Sequence, residues 1–123
     1  MLLLCLYQLC FIITVPFYLI ALWRQGNVGS LAQRLGVLPV HTDLELLWLH
    51  GASVGEVLSF LPLIDTYHDT YPHRRMLITT NTRNGYQTLE RVLTTAQKKF
   101  ISLSYLPIDI VPVLMLVFLR NRF

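Results

Sequence analysis

Residues 1–23 read MLLLCLYQLCFIITVPFYLIALW, with no acidic, basic or histidine side chain. A helix needs roughly 20 apolar residues to cross a bilayer core, and this run is long enough. The rival readings are a cleaved signal peptide and a buried helix of a larger assembly. Only Gln8 and Pro16 interrupt it, and proline is tolerated in membrane helices. A cleaved signal peptide wants a basic start and a small-residue cleavage site. Neither occurs before Arg24. The expectation is an uncleaved anchor helix over 1–23. Arg24 and Arg34 follow the segment and nothing basic precedes it, which predicts a cytoplasmic body and an anchor held by its interfacial Tyr18 and Trp23.

All ten Lys/Arg and all seven Asp/Glu therefore fall in residues 24–123, within a chain of 123. That stretch is one small domain at most. The chain is too apolar and aromatic for disorder. Its formal charge of +3 is too small and scattered to argue for nucleic acid, but it suits an anionic membrane face. Cys5 and Cys10 are the two cysteines. Five positions apart on a helix they point about 140° apart, which disfavours a disulfide or a shared metal. No His/Cys/carboxylate set has metal-ligand spacing, so neither metal nor cofactor is expected.

Beyond the anchor the pattern alternates. Residues 24–43 read as a connector, with a short helix over 30–34 capped by Ser30 and stopped by Gly36. Residues 44–49 are a short apolar run that predicts a buried strand. A turn at 51–55 leads into a helix over 54–67, bent by Pro62. Residues 75–79 predict a second strand, 85–97 an amphipathic helix, 100–105 a third strand, and 110–119 a last helix with Pro112 in its first turn. This order predicts an α/β layer with a parallel sheet over 44–123. Ligands in such sheets bind at the carboxyl ends of the strands, so loops 50–55, 80–84 and 106–109 should line one rim. A three-stranded parallel sheet is small, because both faces need cover. The stretch 44–123 reads as the first part of something longer.

The chemistry-bearing stretch is Trp48-Leu49-His50-Gly51-Ala52-Ser53-Val54-Gly55-Glu56. Gly51 and Gly55 before a helix could cradle an anion, but neither common phosphate-loop pattern is present. Gly51-Ala52-Ser53-Val54-Gly55 matches the nucleophile-elbow pattern. His68 and His73 fall at the far end of the following helix, roughly 20 Å away, and no histidine follows Asp109, so a triad is not expected. Glu56, in a first helical turn at the rim, could take a proton from a hydroxyl nucleophile. It could equally complement the helix dipole. His50 is either a hydrogen-bonded structural residue or part of the site. Thr79, Thr80, Asn81 and Thr82 could bind sugar hydroxyls or phosphate, or cap a turn. Asp109 could cap the next helix. Arg74, Arg75, Lys98 and Lys99 sit at strand entries and read as solvated.

In series these blocks resemble the N-terminal part of the 3-deoxy-D-manno-octulosonic acid (Kdo) transferases of lipopolysaccharide synthesis. The blocks are the apolar segment with Arg34-Leu35-Gly36, then His50 to Glu56 with Pro62-Leu63-Ile64. Leu77-Ile78-Thr79-Thr80-Asn81-Thr82 with Gly85 follows, and Tyr105-Leu106-Pro107-Ile108-Asp109 is last. The resemblance implies a GT-B glycosyltransferase whose incomplete Rossmann-like acceptor-side domain is residues 44–123. It implies transfer of Kdo from CMP-Kdo to lipid IVA, a lipid A precursor, at the cytoplasmic face of the inner membrane, without a metal. It implies Glu56 as the base. His50, Gly51, Ser53, Gly55, Thr80 and Thr82 are then candidates for the acceptor site, with Gly51 and Gly55 letting the acceptor approach the backbone. The family's donor site lies in a C-terminal domain that these blocks do not include, so a separate C-terminal half is an expected partner. The other reading is an inactive remnant, or a noncatalytic membrane-anchored domain that binds lipid A precursors or a partner.

Overall fold

The computed structural model describes residues 2–24, 28–39, 45–109 and 111–120. Helix α1 (Leu2–Arg24) is followed by α2 (Val28–Arg34) and strand β1 (Leu46–Gly51). Helices α3 (Val54–Ser59) and α4 (Leu61–Thr70) lead to β2 (Arg75–Thr80). Then come α5 (Arg83–Val92), β3 (Ile101–Tyr105) and α6 (Val111–Arg120). The strands form one parallel sheet in the order β1-β2-β3. All three strand C-termini therefore share an edge, and the three expected loops lie along one rim.

Strands β1 and β2 carry apolar residues on both faces, and both faces are covered. On one side Leu47, Leu49, Met76, Ile78 and Ile101 pack with Val57, Ile64, Leu89 and Leu93 from the helical segments after β1 and β2. On the other, Leu46, Trp48 and Leu77 pack with Leu38 and Val117 of α6. Alternate residues along each strand go to opposite layers, as the two-residue period requires.

The chain entering the sheet is set by a helix stop. Gly36 has φ +90, a left-handed conformation that glycine adopts without penalty. Its N–H bonds to the Gln33 carbonyl at 3.0 Å, and the Val37 N–H bonds to the Ala32 carbonyl at 3.0 Å. This is the complete Schellman pairing. Ser30 does not cap the helix, because α2 already begins at Val28. Ser30 is instead 3% exposed and inside the helix. A side chain on Gly36 would stand 3.2 Å from Val117 and 3.3 Å from Val113, so the same residue lets α6 close over the connector.

Several boundaries differ from the spacing argument. Pro62 does more than bend a helix: the chain breaks at Phe60, and Pro62 opens α4 in its first turn, where its missing N–H has no partner to lose. Helix α5 stops at Val92, not residue 97, and a single 3₁₀ turn, Gln97–Lys99, follows. Strand β1 runs two residues later than expected, ending at Gly51. The expected starts at Leu44 and Ile110 lie outside the described residues. Lys98 and Lys99 are exposed, as expected, and three of the four basic residues at the strand entries also make contacts. Arg74 pairs with Glu45 and lies over the Tyr71 ring at 4.5 Å. Arg75 donates to the Lys99 carbonyl at 3.0 Å, and Lys98 to the Glu90 carbonyl at 2.6 Å.

Helix α1 has the length and apolar composition to cross a membrane, and none of its residues is fully buried. It is not detached from the body. Gln8, Phe11, Val15, Leu19 and Leu22 are half-buried, three or four residues apart, so one stripe of the helix is covered. The remaining faces, including Leu6, Ile13, Phe17 and Ile20, are exposed.

Candidate functional site

The first group of rim residues is built by the start of α3. Ser53 is extended at φ -118 and caps the helix, its hydroxyl accepting from the Glu56 N–H at 3.3 Å. The Glu56 side chain reaches back: Oε2 accepts from the Ala52 N–H at 2.6 Å and from the Ser53 N–H at 3.4 Å. This reciprocal capping box satisfies backbone donors that a helix start leaves open. Glu56 and Ser53 are nevertheless exposed. Among the described residues Oε1 takes no hydrogen bond. One carboxylate oxygen is thus fixed by the backbone while the side chain as a whole stays exposed at the strand ends.

The two glycines of this loop differ. A Cβ on Gly51 would meet Val57 at 2.8 Å, whereas one on Gly55 would meet nothing within 4 Å. Gly51 is needed to seat α3 on the end of β1. Gly55 alone leaves open space for a ligand.

His50, also exposed, faces Thr79 across the parallel pair. Its Nδ1 lies 3.2 Å from the Thr79 carbonyl oxygen and 3.1 Å from Oγ1. This contact fixes the ring against the end of β2. Thr79 is fully buried. Its hydroxyl accepts from the Trp48 indole at 2.8 Å and approaches the Leu49 carbonyl at 3.4 Å. Thr79 is therefore the post on which His50 and Trp48 are set. Composition gave no reason to separate it from its threonine neighbours.

Thr80 is 1% exposed, and a Cβ on Gly85 would stand 2.6 Å from its hydroxyl. It offers no open hydroxyl; it packs the turn under α5. Thr82 is exposed and caps α5, accepting from the Gly85 N–H at 3.1 Å. His68 stacks on Phe100 with ring centroids 3.7 Å apart, which engages it far from Ser53 along the chain.

A second group lies beside β3 and was not assembled from the sequence. Arg34 was read as a flanking charge, yet it is 8% exposed. Nη2 donates to the Asn81 carbonyl at 2.9 Å, and Nε lies 3.4 Å from the Ser30 hydroxyl. The guanidinium lies over the rings of Tyr105 at 4.7 Å and Tyr18 at 5.7 Å. The Gln33 side chain accepts from the Tyr105 N–H at 3.0 Å, and the Arg34 carbonyl from the Ile108 N–H at 2.8 Å. Helix α2 thus covers the free edge of β3. The i, i+4 pair Ser30 and Arg34 beside Gly36 was the available signal. Between α1 and this edge is a cavity of about 500 Å³. Phe11, Val15 and Tyr18 form one wall, and Leu106, Pro107 and Ile108 the other. Arg34, Asn81, Thr14 and Asp109 supply its polar groups. Among the described residues no three His, Cys, Asp or Glu side chains are grouped as metal ligands would be.

A parallel α/β layer with a carboxylate, an imidazole and a cavity along its strand ends is laid out as a ligand-binding domain. The comparisons specify which. The family model described as 3-deoxy-D-manno-octulosonic-acid transferase (kdotransferase) matches residues 29–121. The chain belongs to that family of glycosyltransferases. It is 35% identical over 102 residues to the 3-deoxy-D-manno-octulosonic acid transferase of Chlamydia pneumoniae, covering 80% of this chain and 23% of that protein. Against the transferase of the same name from Rickettsia bellii it is 27% identical over 122 residues, 94% of this chain and 28% of the relative. The Rickettsia prowazekii protein is 40% identical over 76 residues, 62% of this chain and 15% of the relative. The chain spans about a quarter of the length of the curated relatives it matches, or less. No solved structure matches it.

Proposed function

We propose that this chain supplies the acceptor side of a GT-B transferase that moves Kdo from CMP-Kdo to lipid IVA, with Glu56 as the proton acceptor. The acceptor's sugar hydroxyl must lose a proton as it attacks the anomeric carbon, and a rim carboxylate can take it. The observation that carries this reading is the posture of Glu56. Oε2 is held by two backbone N–H groups, and the side chain as a whole is exposed at the strand ends. Orientation is therefore supplied before substrate arrives, which is what efficient proton transfer needs. His50, Ser53, Gly55 and Thr82 stand on the same rim and would contact the acceptor. Thr80 and Gly51 act behind them, in packing. The donor half is expected in the part of the relatives that this chain does not span, and α1 would keep the rim beside its lipid substrate at the inner membrane.

The capping box favours a second reading, in which Glu56 only holds the helix and the domain binds its lipid without catalysis. Glutamine separates the two, because it also completes a capping box but cannot accept the proton. The test replaces the matching segment of the Chlamydia pneumoniae transferase with this chain and assays Kdo transfer from CMP-Kdo to lipid IVA. The parent chimera should transfer Kdo. Glu56→Gln should lower kcat by about 10²–10⁴-fold with the melting transition unmoved. A glutamine variant that kept full turnover would leave Glu56 a cap and remove it from the reaction.

A further inference from the structure

Helix α1 cannot both keep its packing on the body and stand across a bilayer. Its covered stripe runs from Gln8 to Leu22, about 21 Å of axis at roughly 1.5 Å per residue. Contacts with the body follow that stripe. Phe11, Val15 and Tyr18 share the cavity with Leu106, Pro107 and Ile108 of the loop after β3. Asn81 and Asp109 line it too, and both are exposed. The Arg34 guanidinium stands over the Tyr18 ring at 5.7 Å. With α1 upright and Arg24 at the cytoplasmic surface, Phe11 lies about 20 Å along the axis, past the centre of a core about 30 Å thick. The loop 106–109, Asn81 and Asp109 would be carried into the hydrocarbon with it. Irregular backbone exposed to lipid does not occur at that depth, and an exposed carboxylate there is costly.

The outer faces of α1 still need an apolar partner. Leu6, Ile13, Phe17 and Ile20 are each more than half exposed, and no charged side chain occurs from Leu2 to Trp23. Arg24, exposed, ends the helix beside Trp23, and the chain carries a formal charge of +3. An uncharged face edged by a cation complements hydrocarbon under anionic head groups. Helices that lie in a membrane surface ordinarily bring their own polar face. Helix α1 has none, and the body replaces it by covering one stripe.

We propose that α1 lies in the plane of one leaflet, docked between the hydrocarbon of that leaflet and the protein body, and does not cross the membrane. The N-terminus and the body are then on the same side. The proposal does not depend on the transferase reading, and Kdo transfer enters none of its measurements, so either can fail without the other.

The test adds the full chain to preformed vesicles of phosphatidylcholine and phosphatidylglycerol, so that the polar body stays outside. A nitrobenzoxadiazole fluorophore on the N-terminus is then challenged with external dithionite, which does not cross the bilayer. In-plane docking keeps the fluorophore outside, and dithionite should bleach nearly all of it. Protection until detergent is added would place the N-terminus in the lumen and overturn the proposal. Depth is read separately. In a Cys5→Ala, Cys10→Ala chain, both exposed positions, Ile13→Cys or Ile20→Cys carries a single nitroxide. These exposed sites are seven residues apart and nearly on one face. Collision with oxygen and with a nickel chelate should give both the same depth, about 5–10 Å into the boundary of head groups and acyl chains. A helix standing across the bilayer would separate them by about 10 Å in depth, which overturns the proposal. Nitroxides shielded from both reagents, with spin–spin broadening between chains, would mean that a second copy covers this face and would also overturn it. So would chain that stays in solution when the vesicles are sedimented.

Discussion

Glu56 shows how one carboxylate can close a helix start and still be exposed at the strand ends. Its hold depends on Ser53, whose hydroxyl forms the other half of the box. Ser53→Ala should destabilise the domain by about 1 kcal/mol, read as a lower urea midpoint with unchanged slope. It should also speed hydrogen exchange at the Glu56 amide, since that donor loses its acceptor. An unchanged exchange rate would show that the cap is not closed in solution. The place of Glu56 was legible because a cap, a first turn and an apolar repeat are all local in sequence. Arg34 was not legible in the same way. The residues that bury it, Tyr18, Asn81 and Tyr105, are far from it in sequence, and no local pattern distinguishes a buried arginine from a flanking one. The packing of Gly51 and Thr80 was not legible for the same reason. Whether a glycine or threonine faces a ligand or a neighbouring helix is decided by what packs on it.

Elements were legible as types and less so as lengths. Strands β1 to β3 and their parallel arrangement followed from short apolar runs separated by helical stretches. The break at Phe60 did not, because Pro62 can either kink a continuous helix or open a new one. Between elements, α5 and β3 are joined by Tyr86 and Tyr105, whose rings stack at 4.9 Å and 8°. Burial, then the charges of Glu90 and Tyr105, pushes the Tyr86 phenol above its ordinary value near 10. The folded state therefore keeps this proton after the unfolded chain has released it. Stability is unaffected below about pH 10, then falls as pH rises toward the folded value. Denaturation midpoints across that range should decline, and Tyr86→Phe should flatten the decline. A slope unchanged in the phenylalanine variant would assign the loss to other groups.

At the scale of the molecule, the sheet separates two apolar layers, and the separation is measurable. Leu38 and Val117 share one layer, while Ile64 lies in the other. Leu38→Ala and Val117→Ala should be non-additive, with a coupling of about 0.5–3 kcal/mol. Leu38→Ala and Ile64→Ala should add within about 0.5 kcal/mol. Denaturation of the single and double variants checks this, and equal coupling in both pairs would mean that the sheet does not insulate its faces. That a parallel sheet needs two coats was legible in its doubly apolar strands. Which segments provide the second coat was not, because the connector and α6 lie far apart in sequence and nothing local pairs them.

That distance along the sequence gives the chain a clock. Gly36 closes against Val113 and Val117, which are translated long after it, at about 5–20 residues per second. For a time on the order of 10 s, Leu38 and the Trp48 face of β1 have been made and their cover has not. The second layer cannot close until α6 has been made. A nascent chain paused before α6 should therefore be the species that chaperones capture and proteases cut, whereas one paused after Arg120 should resist both.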